Sequence, residues 1–445
     1  KQLFAFFIGK KKLRCLFVLI LLLLYLCTTY MRLILSSVRR INQDNTLLLP
    51  EQIHLGFVQT SKNRLRWIQR TVLPEIEGNR EGGKTLNQSV SRRKFIFAFR
   101  YYEQLGRATE NLLALCSLAR YGKREVVAPF VNNSRMAGIP YGVGHHFRRK
   151  RVVSFSPFQT YFDLRQVNDK LKSNGYSILT SFVDMAESCN RRLNVVIHFL
   201  HHERKSIEDA VSWYRITERE LQDIYLRARQ NNGWTNCPHI RKSNIGKQLG
   251  EFKVSRYVCV DPEIIRTSQK FEEEVLQSAN CVGIVQWKGI GPGRSHFALS
   301  KTSMVRPSDL QHNVQLLDLA RTFIETSGLG KSFISVHVRA ERHIFRRGMN
   351  ITRQCFKKLA ARVQKLKTKL DWNVYLSTDM ADYGSDTLIR DVSQAKRLSL
   401  FRELNSLLGY PVTLNHIERL YDTGAIAIIE MHILAAGKKL VTLGG

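Results

Sequence analysis

The sequence predicts an α/β protein. It has two parallel-sheet domains facing a cleft, preceded by one N-terminal transmembrane helix. Three observations predict this. Residues 94–131 read strand, loop, helix, strand, which starts a parallel sheet. A second series of the same kind begins after Gly328. An almost uninterrupted apolar run, Cys15–Tyr30, follows Lys10, Lys11, Lys12 and Arg14.

The apolar run comes first in the chain. It sits near the lower limit of roughly 17 residues for a spanning helix, which suits the thinner membranes of the early secretory pathway. Tyr30, Met31 and Arg32 follow it with no small-x-small cleavage site, which argues against a removed signal peptide. The denser cations precede the span, so the N-terminus is expected in the cytoplasm. The organisation is then a tail (1–14), a signal anchor (15–31) and a stem (32–93). The body is lumenal, in a single-pass type II protein of the Golgi or endoplasmic reticulum membrane.

A lumenal body constrains the rest. The formal net charge is +32, which favours acidic partners, but a lumenal chain does not meet nucleic acid. Cys116, Cys189, Cys237, Cys259, Cys281 and Cys355 allow up to three disulfides in an oxidising compartment. No CxxC spacing points to zinc. Sequons stand at Asn87, Asn132 and Asn350.

In the body, 94–100 reads as a strand, 101–107 as a loop, 107–121 as a helix stopped by Gly122, and 125–131 as a strand. Residues 140–180 look irregular. Strands are expected at 193–200, 256–261 and 281–287, the last running into the glycine-rich 288–294. A helix at 314–328 ends on Gly328. Then come a strand at 332–338, a helix at 352–370, a strand at 372–379, a largely helical 386–409, a helix at 423–437 and a strand at 438–443. This gives two Rossmann-like domains, 94–313 and 314–445.

Ligands of such sheets bind at the carboxyl ends of the strands. Three loops are expected there, Tyr101–Arg107, His337–Arg347 and Ser377–Tyr383. His337 and Arg339 stand two apart and share a face in an extended chain. A guanidinium fork matches phosphate oxygens bidentately, so the pair points to a phosphorylated ligand. Ser377, Thr378 and Asp379 end another strand, where Asp379 can meet a base or ribose, or cap a helix. Glu103 stands at the mouth of the first loop, where burial would make it a general base. No D-x-D motif calls for a divalent metal, and no GxxxxGK[ST] loop is present.

The segments "SVHVRAER", "VYLSTD" and "AIIEMHILAAGKKLVTLGG", with "YYEQLGRATENLLALCSLARYGKREVVAPFV" before them, resemble the protein O-fucosyltransferase superfamily. The resemblance covers about 95–445 in the correct order and is thin between about 140 and 250. It implies the two-domain GT-B architecture and an inverting transfer of fucose from GDP-fucose to Ser or Thr of a folded protein domain. It implies no metal or other cofactor. Residue by residue, Arg339 resembles the arginine that holds the β-phosphate and assists its departure. Gly106, Arg107, His337, Ser377, Thr378 and Asp379 fall in the nucleotide-sugar site. Glu103 matches the catalytic glutamate of the branch acting on thrombospondin-type repeats.

Two positions depart from the family pattern. The first loop reads Gln104-Leu105-Gly106-Arg107 with no Asn in register, and Arg342 replaces an Asp after the H-x-R motif. The family continues into a Ser/Thr–Phe motif beyond the position of Gly445, so the second domain is expected to be truncated here. Two alternatives remain at this stage. One is a lumenal transferase with a glycan acceptor. The other is an inactive anchored relative that binds sugar nucleotide, peptide or acidic glycan.

Overall fold

The structure, a computed structural model, describes residues 93–143, 152–201, 204–242, 252–288, 305–380, 394–414 and 422–443. The expected anchor at 15–31, nearly all of the stem, Asn87 and the segment 289–294 lie outside the described residues. No described helix is long and apolar enough to cross a membrane.

The first half opens with β1 (Lys94–Ala98), α1 (Leu105–Ala119) and β2 (Arg124–Val127). Short strands β3 (Phe130–Asn132), β4 (Arg135–Ala137), β5 (Tyr141–Val143), β6 (Val152–Ser154) and β7 (Ser156–Pro157) follow. Then come α2 (Leu164–Ser173), β8 (Leu179–Thr180), α3 (Phe182–Ser188) and β9 (Arg192–Phe199). Helices α4 (Arg204–Tyr214) and α5 (Glu218–Gln230) lead to β10 (Trp234–Asn236), β11 (Lys253–Val260) and β12 (Cys281–Ile284). The second half comprises α6 (Val314–Thr326), β13 (Phe333–Val338), α7 (Ala340–Leu370), β14 (Asn373–Thr378), α8 (Gln394–Leu407), α9 (Thr423–Ala436) and β15 (Lys439–Leu443).

Two parallel sheets result. The larger runs β10-β11-β9-β12-β1-β2-β8, with β10 as an antiparallel edge. The smaller runs β14-β13-β15. Strand alternation sorts each sheet's two faces. In β1, Phe95 and Phe97 join the cluster of Trp213, Leu221 and Ile224 from α4 and α5. Ile96 and Ala98 join the opposite cluster, with Leu112 and Leu115 of α1. In β13, Ile334, Val336 and Val338 pack with Phe356 of α7 and Leu404 of α8. Phe333 faces the other way, into the cluster that also holds Leu316 of α6 and Ile429 of α9. That cluster contains residues of both halves, so one continuous core underlies both sheets.

Several expectations are corrected. The strand expected at 125–131 is two strands, because Pro129 has no N–H for the ladder. Helix α1 starts at Leu105, two residues before the expected start. The region expected to be irregular contains α2, capped by Asp163 accepting from Gln166 N at 3.1 Å and burying Val167 and Leu171. Helix α5 begins with a capping box formed by Thr217 and Glu220. Within the expected ceiling of three, two disulfides form among the described residues, Cys189–Cys281 and Cys237–Cys259, and Cys116 and Cys355 are free. The expected loop 337–347 is mostly helix, since Ala340–Arg347 offers no Pro or Gly to stop α7. The break comes at Gly348, where φ is +77°, a conformation that favours glycine.

Candidate functional site

The site is built on β13, the central strand of the smaller sheet. His337 lies in register with Ser377 on one side and Thr442 on the other. Paired residues share a face, so these three polar side chains form a row across the carboxyl end of the sheet. This is the face of Ser335, whose hydroxyl donates to Leu434 O of α9 at 2.9 Å. Thr442 was not singled out from the sequence, because its place depends on strand register. Thr378 pairs with Val338 and faces the α7 and α8 side. The sequence grouped Ser377 and Thr378 in one site; the two-residue period of a strand separates them.

Arg339 follows at the turn into α7. Its own N–H donates to Leu443 O of β15 at 2.9 Å. The next N–H, of Ala340, donates to Asp379 Oδ1 at the end of β14, also at 2.9 Å. Both neighbouring strands therefore hold the backbone around Arg339, while its side chain is exposed. Asp379 caps the helix that follows β13. Burial, then the charge of Arg339, holds His337 below the ordinary imidazole range. The imidazole is thus neutral at neutral pH and can donate one hydrogen bond and accept another. Ser377 is buried, with 3% exposure.

The first loop of the larger sheet is fixed through its backbone. Tyr102 N donates to Trp287 O at 3.0 Å, and Asn111 Nδ2 donates to Tyr102 O at 2.9 Å. Arg135 Nη1 donates to Glu103 O at 2.8 Å. Burial and the nearby Arg100 push Arg135 down to about 10. Glu103 has φ +71°, a left-handed conformation costing a non-glycine residue about 1–2 kcal/mol. Its side chain is exposed, so the burial on which the general-base reading depends is not supplied by this loop alone. Gly106 and Arg107 are in the first turn of α1 rather than in a loop, and Arg107 pairs with Glu110.

Segments from the two halves meet at Asp422. Helix α9 precedes β15 and packs against the sheet, so its first residues lie at the carboxyl end. Asp422 caps it, accepting from Gly424 N and Ala425 N at 2.9 Å each. The same carboxylate accepts from Tyr161 Oη at 2.7 Å and from Asn133 N at 3.3 Å. Asn133 is in the β3–β4 turn, beyond the carboxyl end of β2. A Cβ at Gly424 would stand 2.0 Å from Tyr161 Oη, so only glycine permits this approach. Among the described residues, no three His, Cys, Asp or Glu side chains group as a metal site would need.

No protein-family model matches the sequence, and no curated protein matches it. The chain is similar in fold to solved structures of POFUT1. A structure of POFUT1 in complex with GDP matches at TM-score 0.42 and 12% identity, covering 79% of this chain and 92% of that one. POFUT1 in complex with GDP-fucose matches at TM-score 0.37 and 12% identity, over 80% and 99% of the two chains. An apo form matches at TM-score 0.39 and 11% identity, over 80% and 100%.

Proposed function

We propose that this chain is an inverting, metal-independent GT-B glycosyltransferase. It moves fucose from GDP-fucose to a Ser or Thr hydroxyl of a folded protein domain, in the lumen of the Golgi or endoplasmic reticulum. The observation that carries the reading is the placing of Arg339. It is an exposed arginine at the carboxyl end of a central parallel strand, with its backbone held by both neighbouring strands and a neutral histidine two residues before it.

In this reading Arg339 engages the β-phosphate of the donor through its bidentate fork. It neutralises the charge that develops as GDP leaves, a contribution of about 3 kcal/mol. His337, with Ser377 beside it, hydrogen-bonds the nucleotide. The acceptor oxygen attacks the anomeric carbon from the face opposite the leaving group. The glycosidic C–O bond to phosphate breaks, and its electron pair departs with GDP. The acceptor proton passes to the Glu103 carboxylate, which a docked acceptor domain would cover. The backbone strain at Glu103 supports this assignment, since such strain clusters where function needs a fixed side chain. A second reading, the inactive anchored relative, draws on Arg107. It is paired with Glu110 where the family presents an Asn to the sugar nucleotide.

The test is transfer of labelled fucose from GDP-fucose to a small folded acceptor domain. Glu103→Gln keeps the shape and removes the base. It is expected to lower turnover by roughly 10²–10⁴-fold with GDP affinity unchanged. Glu103→Gly is expected to abolish turnover while raising stability by about 1 kcal/mol, through relief of the left-handed backbone. Normal turnover in Glu103→Gln removes Glu103 from the mechanism. GDP binding without transfer in the parent favours the second reading.

A further inference from the structure

We infer that the outer face of α7 is a docking surface for a linear sulfated glycan. The reading is independent of the nucleotide-sugar site. Beyond Gly348, this helix contains no Asp or Glu as far as Leu370. Its apolar face is buried, through Phe356, Leu359, Ala360 and Val363. On the opposite face Lys358, Arg362, Lys365 and Lys369 are all exposed. Their spacing of four, three and four residues puts them on one line along the axis. At 1.5 Å per residue the line is roughly 16 Å long. None of the four is ion-paired among the described residues.

A solvated helix face usually mixes signs, with a glutamate four residues before a lysine. This face instead sets like charges at i,i+3 and i,i+4, which destabilises a helix. The helix dipole accounts for cations in the last turn only, so it explains Lys369 but not Lys358 or Arg362. A bound polyanion accounts for all four.

The geometry and the compartment select the class of polyanion. Helices that lie on membranes insert an apolar face, and the apolar face of α7 is occupied by the lobe's own core. A single file of cations fits a rod better than a plane. The disulfides Cys189–Cys281 and Cys237–Cys259 belong to an oxidising compartment, where the linear polyanions are acidic glycans rather than nucleic acid. The site residues lie at the other end of the sheet, since Lys369 precedes the start of β14 and Arg339 follows the end of β13.

The experiment uses the full chain and a heparin-derived oligosaccharide, with affinity measured against salt concentration. The variant K358Q/R362Q/K365Q/K369Q is compared with a control that removes four exposed cations elsewhere, R165Q/K170Q/K172Q/R219Q. Cooperative unfolding with a midpoint no lower than that of the parent establishes that each is folded, and relief of the like-charge repulsion is expected to raise that of the α7 variant. Each neutralised polyanion charge contributes roughly 0.7–0.9 to the log–log salt slope in nucleic acids. The α7 variant is therefore expected to lose about 3 from that slope, with the control and GDP binding unchanged. Equal losses in both variants would make the charge diffuse and overturn the inference. So would no binding by the parent, or tighter capture of the same face by anionic lipid vesicles.

Discussion

Tyr161 and Asp422 join the two halves of the molecule, and their coupling can be predicted from their geometry. Tyr161 is fully buried, and burial, then the Asp422 carboxylate, raises its pKa, so the hydroxyl remains a donor. Tyr161→Phe removes one charge-assisted bond of 2.7 Å and leaves Ser134 N, which donates to that hydroxyl at 3.2 Å, without its acceptor. A bond to a charged group contributes about 1.5–3 kcal/mol. Asp422→Ala removes the cap of α9, about 1 kcal/mol, and also strands the buried hydroxyl, a further ~1–3 kcal/mol. Both single variants lose the same bond, so the double variant should be less destabilised than their sum by about 1.5–3 kcal/mol. Urea unfolding of the four proteins measures this. Additivity within about 0.5 kcal/mol would refute the account of how α9 is held against the β3–β4 turn.

Two further outcomes follow from the same structure. Cys189–Cys281 spans 92 residues of sequence and Cys237–Cys259 spans 22. In the chain-entropy account, replacing the first pair by serine should cost about 4–5 kcal/mol and the second about 3 kcal/mol; equal losses in chemical denaturation would contradict it. Burial and the facing His432 hold His312 down to about 4, against 6.5 when unperturbed. The unfolded chain therefore binds more protons below pH 6.5, so stability is full above that pH and falls as pH drops towards about 4. His312→Phe keeps the stack on Phe162 and should flatten part of this slope, whereas an unchanged slope would reject the assignment.

The fold was legible where residues state a period or a stop. The alternating Phe95, Ile96, Phe97 and Ala98 announce a strand with two buried faces. Gly328 marks a helix end that the structure keeps. In the region 140–250 the strand at 193–200 was read from its apolar run, but α2 and α5 were not read, although their caps are written in the sequence. Asp163 ahead of Val167 and Leu171, and Thr217 three residues before Glu220, are start signals for α2 and α5. The β3–β4 hairpin was missed because Pro129 was read inside one strand. Of the site, the pairing of His337 with Arg339 could be read from a spacing of two. Thr442 and the clamp of Ala340 N by Asp379 could not, since both depend on how distant strands align. Nor could the left-handed backbone of Glu103, as no glycine or asparagine announces it.

The central claim is that Arg339 binds the diphosphate of a GDP-sugar, and calorimetric titration of GDP into the full chain tests it most directly. The parent is expected to bind, with an affinity that weakens only modestly as salt is raised, because a compact diphosphate releases few counterions. Arg339→Ala should weaken that binding by about 10–100-fold, the loss of a charge-assisted contact of about 1.5–3 kcal/mol. Arg339→Lys should recover only part of it, since a point charge lacks the fork. GDP binding in Arg339→Ala equal to that of the parent would contradict the claim.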